Sequence, residues 1–290
     1  MTTGLLFPGK GAHSVGIGVD LVRAYPVAGE RFASADESLG YPLSEICFDG
    51  PAERLTATEV CQPAILTVSV AAWRVARDHG LGAELVLGHS LGEYSALVAA
   101  GAIGFEEAVR LVAERGAAMQ DAGTRRPGAM AALIGVDDAT AATLASRAGD
   151  VWPANFNCPG QVVVSGSVEG VERLMQHAED DGVRVTRLAV SGAFHTPLMA
   201  PAAERLAPAL QAWEPAEPHP AFLSTTTCAI EPAERLREVL LDQLTSPVRF
   251  GDAVEVALGR GVDRFVELGP GRVLSGLVRR VRRGVETVSV

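Results

Sequence analysis

The chain has no apolar run near the roughly 20 residues that a helix needs to cross a bilayer, which argues against a membrane-spanning role. Its start, MTTGLLFPGKG, lacks the basic opening and long apolar stretch of a secretory signal, so the cytoplasm is the expected location. Cysteine is sparse. Cys47, Cys61, Cys158 and Cys228 are scattered, with no C-x-x-C pair and no histidine at zinc-ligand spacing. Reduced, mostly buried thiols and no metal are the expectation. Positive charge is short as well: Lys and Arg number 25 against 35 Asp and Glu, a net charge of −10, which argues against nucleic acid as a partner. Aromatics make up 5% of residues, while Ala, Val, Leu and Gly dominate, as in closely packed α/β layers. What is there, 48% hydrophobic and 21% charged residues over 290 positions, is the composition of a globular protein with a large core.

No internal repeat or low-complexity stretch stands out. Apolar runs bounded by turns predict strands at residues 4–8 and 85–87, and helical spacing predicts helices at 16–24, 30–39, 62–78, 91–100 and 105–120. Parallel strands joined by helices imply an α/β-hydrolase-like three-layer body. The texture changes after a turn-rich linker at 123–128. Strand 130–136, helix 138–148, strands 152–155 and 161–165, helix 169–181 and strand 184–190 follow in the β-α-β-β-α-β order of a ferredoxin-like α+β unit. The chain then returns through helix 199–213, strand 221–225, helix 233–245, strand 264–268 and a last helix after Gly269-Pro270-Gly271. The expected division is a large α/β subdomain over 1–122 and 198–290, with a small ferredoxin-like subdomain, 123–197, inserted in it. A catalytic cleft belongs between the two.

The strongest chemical signal is Gly88-His89-Ser90-Leu91-Gly92, a G-x-S-x-G turn between a predicted strand and a predicted helix. Such a turn holds a serine hydroxyl at the strand's carboxyl end, and the free N–H groups of the following helix can stabilise an anionic intermediate there. A serine nucleophile needs a base. His195, just after a strand where the small unit rejoins the body, is the candidate. His89 adjoins Ser90 and should point away from it; His79, His177 and His219 fall at predicted helix ends or loops, and His13 in a glycine turn.

Seven motifs in order, FPGKGAH, GHSLGEYSAL, ERGAAMQ, ANFNCPGQVVVSG, VSGAFHTPLM, QLTSPVRF and ELGPGRVLSGL, span the chain and resemble the malonyl-CoA:acyl carrier protein transacylases. That family includes discrete enzymes of fatty-acid synthesis and acyltransferases serving polyketide synthases. The resemblance implies that Ser90 attacks an acyl-CoA thioester with His195 as base, and that a main-chain carbonyl at or near Gln243, not a carboxylate, orients the histidine. Backbone N–H groups of Leu91 and Lys10 would hold the oxyanion. The acyl group would then pass to the phosphopantetheine thiol of an acyl carrier protein in ping-pong fashion, with no cofactor beyond the CoA thioester and no metal.

The same resemblance implies that Arg115 pairs with the free carboxylate of a malonyl-type group, a task that suits a guanidinium fork. It also implies that Phe194 favours malonyl over α-branched groups, and that Asn157 and Gln161 line the cleft. One departure is plain: the family usually reads G-Q-G-x-Q where this chain has Gly9-Lys10-Gly11-Ala12-His13, which bears on substrate identity more than on reaction type. Arg272, Arg279, Arg280, Arg282 and Arg283 form a local basic patch on an acidic chain, a landing site for an acidic carrier; Arg125 and Arg126 are a second. The expected partners are acyl-CoA and an acyl carrier protein, and the expected state is a monomer. Rival readings are a trans-acting polyketide acyltransferase for alkylmalonyl or larger carrier-borne groups, an acyl hydrolase with water replacing the carrier thiol, and a non-catalytic carrier-binding subunit.

Overall fold

A computed structural model describes residues 1–11, 13–190 and 192–290; Ala12 and Ser191, each part of a motif above, lie outside the described residues. The chain opens with β1 (Thr3–Phe7), α1 (Val19–Ala24), α2 (Pro26–Leu39), α3 (Leu43–Asp49), α4 (Ala52–Thr56) and α5 (Thr58–Asp78). Then come β2 (Leu85–Gly88), α6 (Gly92–Ala99) and α7 (Phe105–Arg125). A second group holds β3 (Gly128–Ile134), α8 (Asp138–Ala148), β4 (Val151–Cys158), β5 (Gln161–Ser167), α9 (Val168–Asp180) and β6 (Arg184–Arg187). The remainder is α10 (Ala200–Ala212), β7 (Ala221–Phe222), α11 (Leu236–Asp242), α12 (Phe250–Gly259), β8 (Arg264–Glu267), α13 (Val273–Val281) and β9 (Glu286–Ser289).

The body is built on a parallel sheet of order β7-β2-β1-β8-β9. Alternation along its strands makes three layers. Leu5, Phe7, Val86 and Val266 point into a core shared with Ile65, Tyr94 and Val109, while Leu6, Leu85, Leu87 and Phe265 point into another shared with Phe250, Val254 and Leu277. A parallel sheet covered on both faces reads as continuous apolar strands, and β1 and β2 do. Truncating a core residue such as Leu6 costs about 2–5 kcal/mol.

The second group forms an antiparallel sheet of order β4-β5-β3-β6, the strand order of a ferredoxin-like unit. One face carries Ala131, Leu133, Val162 and Val164 against Leu144 and Leu174 of α8 and α9; Met130, Ala132 and Val163 of the other face join the body's core. Asp137 and Ser167 start α8 and α9 by accepting from Thr140 N–H and Gly170 N–H, the usual role of such N-caps. Backbone bonds Phe156 N–H to Val248 O, 2.8 Å, and Val248 N–H to Ala154 O, 2.9 Å, tie β4 to the body.

Several boundaries differ from the sequence reading. The stretch expected as linker at 123–128 is helical to Arg125, because Thr124 Oγ1 donates to Gln120 O and Arg125 pairs with Asp121, continuing the last turn despite Gly123. Helix 233–245 is a short 3-10 turn followed by α11, and strand 221–225 shortens to two residues. Helices α3, α4 and α12 and strand β9 have no counterpart among the elements expected from the sequence. None of the described helices is long and apolar enough to cross a membrane.

Candidate active site

Because β1 and β2 are parallel neighbours, with Phe7 opposite Gly88, the turns that follow them leave the same sheet edge side by side. That places Lys10 beside the nucleophile turn. Ser90 sits there with φ 53°, in the left-handed region. The turn depends on Gly92: a Cβ on it would run into the carbonyl of Phe7.

His195 comes from the segment after β6, also left-handed at φ 60°, with Thr196 Oγ1 donating to Ala193 O at 2.7 Å. The two residues are 105 positions apart in sequence, and Ser90 Oγ lies 2.8 Å from His195 Nε2. His195 Nδ1 lies 2.9 Å from the carbonyl oxygen of Gln243. A carbonyl only accepts, so Nδ1 carries the proton and Nε2 presents its lone pair to the serine hydroxyl. Burial, and then the neighbouring Arg115 cation, push the imidazole pKa down to about 3; the ring is neutral at ordinary pH.

Arg115, on α7, is 1% exposed. Its side chain reaches the dyad because Gly116 lets α7 ride close to α5; a Cβ there would lie 2.7 Å from Thr58 O. The guanidinium donates to Gln62 Oε1, to Gln243 Oε1 at 2.8 Å and to Ser90 Oγ at 3.1 Å, and sits 5.5 Å from the Tyr94 ring centroid. None of the ion pairs among the described residues includes it. It is a buried cation held by neutral oxygens, a costly arrangement unless a ligand supplies the missing charge.

Gln62 and Glu93, which the sequence reading did not single out, organise this centre together with the side chain of Gln243, of which only the main-chain carbonyl was expected. Gln62 and Gln243 hold the guanidinium. Glu93, fully buried, accepts from Thr225 N–H (2.6 Å), the hydroxyls of Thr225 and Ser224, and Gln243 Nε2. Gln243 Nε2 also donates to Ser90 O at 3.0 Å. With two acceptors on its NH2 side, the Gln243 amide must turn its oxygen to Arg115. Burial holds the Glu93 carboxyl pKa above its ordinary value, and these hydrogen bonds offset only part of that rise. A signal for Glu93 was present: it is the acid in an otherwise apolar helix.

His89 points away from Ser90, its Nε2 2.9 Å from Asn157 Oδ1. That contact joins β4 to the nucleophile turn. Phe194 is buried, and Lys10 Nζ lies 5.7 Å from its ring centroid. Gln161 opens β5 and meets the Cys158 thiol rather than the dyad. The five C-terminal arginines are all exposed; Arg279 bonds Thr287 Oγ1, Arg282 pairs with Glu255, and Arg280 lies against the Cys158 thiol. Arg126, next to Arg125, lines a separate cleft of about 390 Å³ with Asp150 and Arg173. A hollow of about 610 Å³ between α8 and α12, lined by Asp137, Phe156, Cys158 and Glu255, contains neither dyad residue. Among the described residues, no group of three or more His, Cys, Asp or Glu is placed to hold a metal ion.

The sequence profile of the family described as "Acyl transferase domain" matches residues 5–290. The malonyl CoA-acyl carrier protein transacylase of Bacillus subtilis (strain 168) is 42% identical over 292 residues, covering 98% of this chain and 92% of that protein. The solved structure of the malonyl CoA-acyl carrier protein transacylase from Coxiella burnetii superposes with a TM-score of 0.97 at 37% identity, covering 99% of this chain and 93% of that one. A malonyl-transacylase solved in complex with its type II polyketide-synthase acyl-carrier protein gives 0.96 at 41% identity, covering 100% and 96%. Matched by these relatives and solved structures over nearly all of its length, the chain belongs to the malonyl-CoA:acyl carrier protein transacylase family.

Proposed function

We propose that the chain transfers a malonyl group from CoA to the phosphopantetheine thiol of an acyl carrier protein through a malonyl ester on Ser90. One observation carries this reading: a buried guanidinium without a carboxylate partner stands 3.1 Å from a serine hydroxyl that is itself 2.8 Å from a neutral imidazole nitrogen. The nucleophile and the charge selector are in direct hydrogen-bond contact, so the free carboxylate of a short acyl group on Ser90 falls within reach of the guanidinium.

Ser90 gives its proton to His195 Nε2 as Oγ attacks the thioester carbonyl. The backbone N–H groups of Leu91 and Lys10 receive the oxyanion, and the Gln243 carbonyl stabilises the imidazolium from its other side. Collapse breaks the C–S bond, and the CoA thiolate leaves with the proton from His195. The carrier thiol then enters, yields its proton to His195 and attacks the ester, and Ser90 departs reprotonated. Arg115 neutralises the malonyl carboxylate throughout. Phe194, against the dyad, restricts the volume available to an α-substituent. Asn157 fixes the nucleophile turn through His89, and Gln161 lines the cleft beyond it.

The acidic carrier would land on Arg272, Arg279, Arg280, Arg282 and Arg283, whose edge meets the Cys158 turn next to Asn157, with Arg125 and Arg126 as the second candidate surface. The reaction belongs to the cytoplasm, where CoA thioesters and carrier proteins meet. Malonyl-loaded carrier made this way supplies two-carbon extender units to decarboxylative condensations of fatty-acid or polyketide type.

Intact-mass spectrometry after incubation with malonyl-, methylmalonyl- and acetyl-CoA tests the reading. Malonyl should load fastest, on Ser90, and pass to an added carrier protein. Ser90→Ala should gain no mass, and His195→Ala should load slower by orders of magnitude. Rapid loss of the malonyl-enzyme to water without a carrier would instead make the protein a hydrolase.

A further inference from the structure

Lys10 stands where the family usually has glutamine, and although the residue is exposed its ammonium turns back onto the protein. Nζ donates to Thr58 Oγ1 at 3.0 Å and lies 5.7 Å from the centroid of Phe194, the residue before the base. Thr58 opens α5. Cys61 and Gln62, three and four positions on, share its helix face, and Gln62 holds Arg115. Lys10 and Arg115 are therefore attached to one face of one helix, a single turn of about 5.4 Å apart. The Cys61 thiol between them feels both cations, each drawing its pKa down against burial. Like Arg115, Lys10 belongs to none of the ion pairs among the described residues. Its partners, a hydroxyl and an aromatic face, hold an ammonium in place without neutralising it.

We propose that the side chain of Lys10 is a second specificity-determining cation of the acyl pocket, acting with Arg115 to draw in donors that carry a free carboxylate. This rests on the malonyl reading above and deepens it. Arg115 is deep and rigid, so it fits the bound carboxylate. Lys10 sits at the outer end of the same helix face and is exposed, so it acts on the carboxylate's entry. Its contribution should therefore appear mainly in KM and weaken with salt.

The test compares malonyl and acetyl donors, both as CoA thioesters and as N-acetylcysteamine thioesters, which carry no phosphate. Lys10→Gln keeps the backbone N–H and the polarity and removes the charge; Lys10→Arg keeps the charge. The malonyl-to-acetyl ratio of kcat/KM should fall about five-fold in Lys10→Gln, the size of one partly exposed charge contact. The fall should lie mostly in KM, occur with both thioester types, and be restored in Lys10→Arg. It should shrink above about 0.5 M salt. An equal fall for malonyl- and acetyl-CoA, absent with the N-acetylcysteamine esters, would overturn the proposal and assign Lys10 to the CoA phosphates. An unchanged ratio would overturn it too. A wild-type enzyme that fails to load malonyl onto Ser90 would defeat the functional reading itself, and the two failures are read from different proteins.

Discussion

Removing the Arg115 guanidinium should convert a carboxylate-selective enzyme into one that prefers neutral donors. Arg115 is 1% exposed and its hydrogen-bond partners are the neutral oxygens of Gln62, Gln243 and Ser90, so its charge has been stripped of water with no carboxylate in contact; Glu93 acts on it only from beyond the Gln243 amide. A malonyl carboxylate entering this place gains a charge-assisted, two-pronged contact; an acetyl methyl meets an unneutralised cation. Truncating one member of a buried charge pair costs about 2–5 kcal/mol. At about 1.4 kcal/mol per tenfold, Arg115→Ala should lower malonyl transfer by roughly thirty-fold to several thousand-fold. Acetyl transfer should hold or rise. The substitution also leaves Gln243 without its donor, and Gln243 supports Ser90 and His195, so both donors share some damage to the dyad. The ratio of kcat/KM for malonyl-CoA and acetyl-CoA cancels that shared part. Arg115→Lys, which keeps charge but not the fork, should fall between. A malonyl-to-acetyl ratio unchanged in Arg115→Ala would refute the charge argument.

Four further outcomes follow from the structure. His195 has its pKa lowered from 6.5 to about 3, so it stays a competent base in acid: single-turnover acylation should persist at pH 5, and a midpoint near 6.5 would contradict the burial argument. Because that pKa is depressed on folding, the unfolded chain binds more protons below pH 6.5 and this part of the stability is lost as pH falls toward 3; urea melts of His195→Asn should show a shallower acid loss than wild type. Glu93→Gln presents an NH2 either to Gln243 or to Thr225 N–H, leaving a donor facing a donor in a dry site; it should cost about 1–3 kcal/mol per unmatched group and reduce malonyl selectivity, as melting and donor ratios would reveal. Charge reversal of Arg280 and Arg283 should raise KM for the carrier protein several-fold at low salt, with acylation by malonyl-CoA as the internal control; an unchanged carrier KM would move the docking site to Arg125 and Arg126.

The nucleophile turn was legible because the signal is local: an apolar strand, a glycine-framed serine and an apolar helix are consecutive in sequence. The β-α-β-β-α-β order was legible for the same reason, since each element announces itself by its own periodicity. The arrangement around Arg115 was not. Its partners Gln62 and Gln243 lie 53 and 128 positions away, and nothing in the local pattern of either residue marks it as a ligand. The Gln243 carbonyl came from family resemblance, because a main-chain acceptor leaves no trace in residue type. Helix α12 shows apolar spacing at Phe250, Ala253, Val254 and Ala257, a local signal of the same kind as those that mark the other helices. Strand β9 is largely half-exposed and exists through its pairing with β8, a tertiary cause invisible along the chain.

Ser90 and His195 share a property that has nothing to do with their chemistry: both hold left-handed backbone that L side chains avoid, at φ 53° and 60°. Each such conformation costs on the order of 1–3 kcal/mol. Glycine would sit at position 90 more comfortably than serine does, so selection for stability alone opposes the nucleophile. A descendant of this fold released from catalysis, kept for instance to hold a carrier protein in place, should drift to glycine there and become more stable as it loses its reaction. Glycine at this turn in a related chain is thus a mark of retired chemistry, readable before any assay is run.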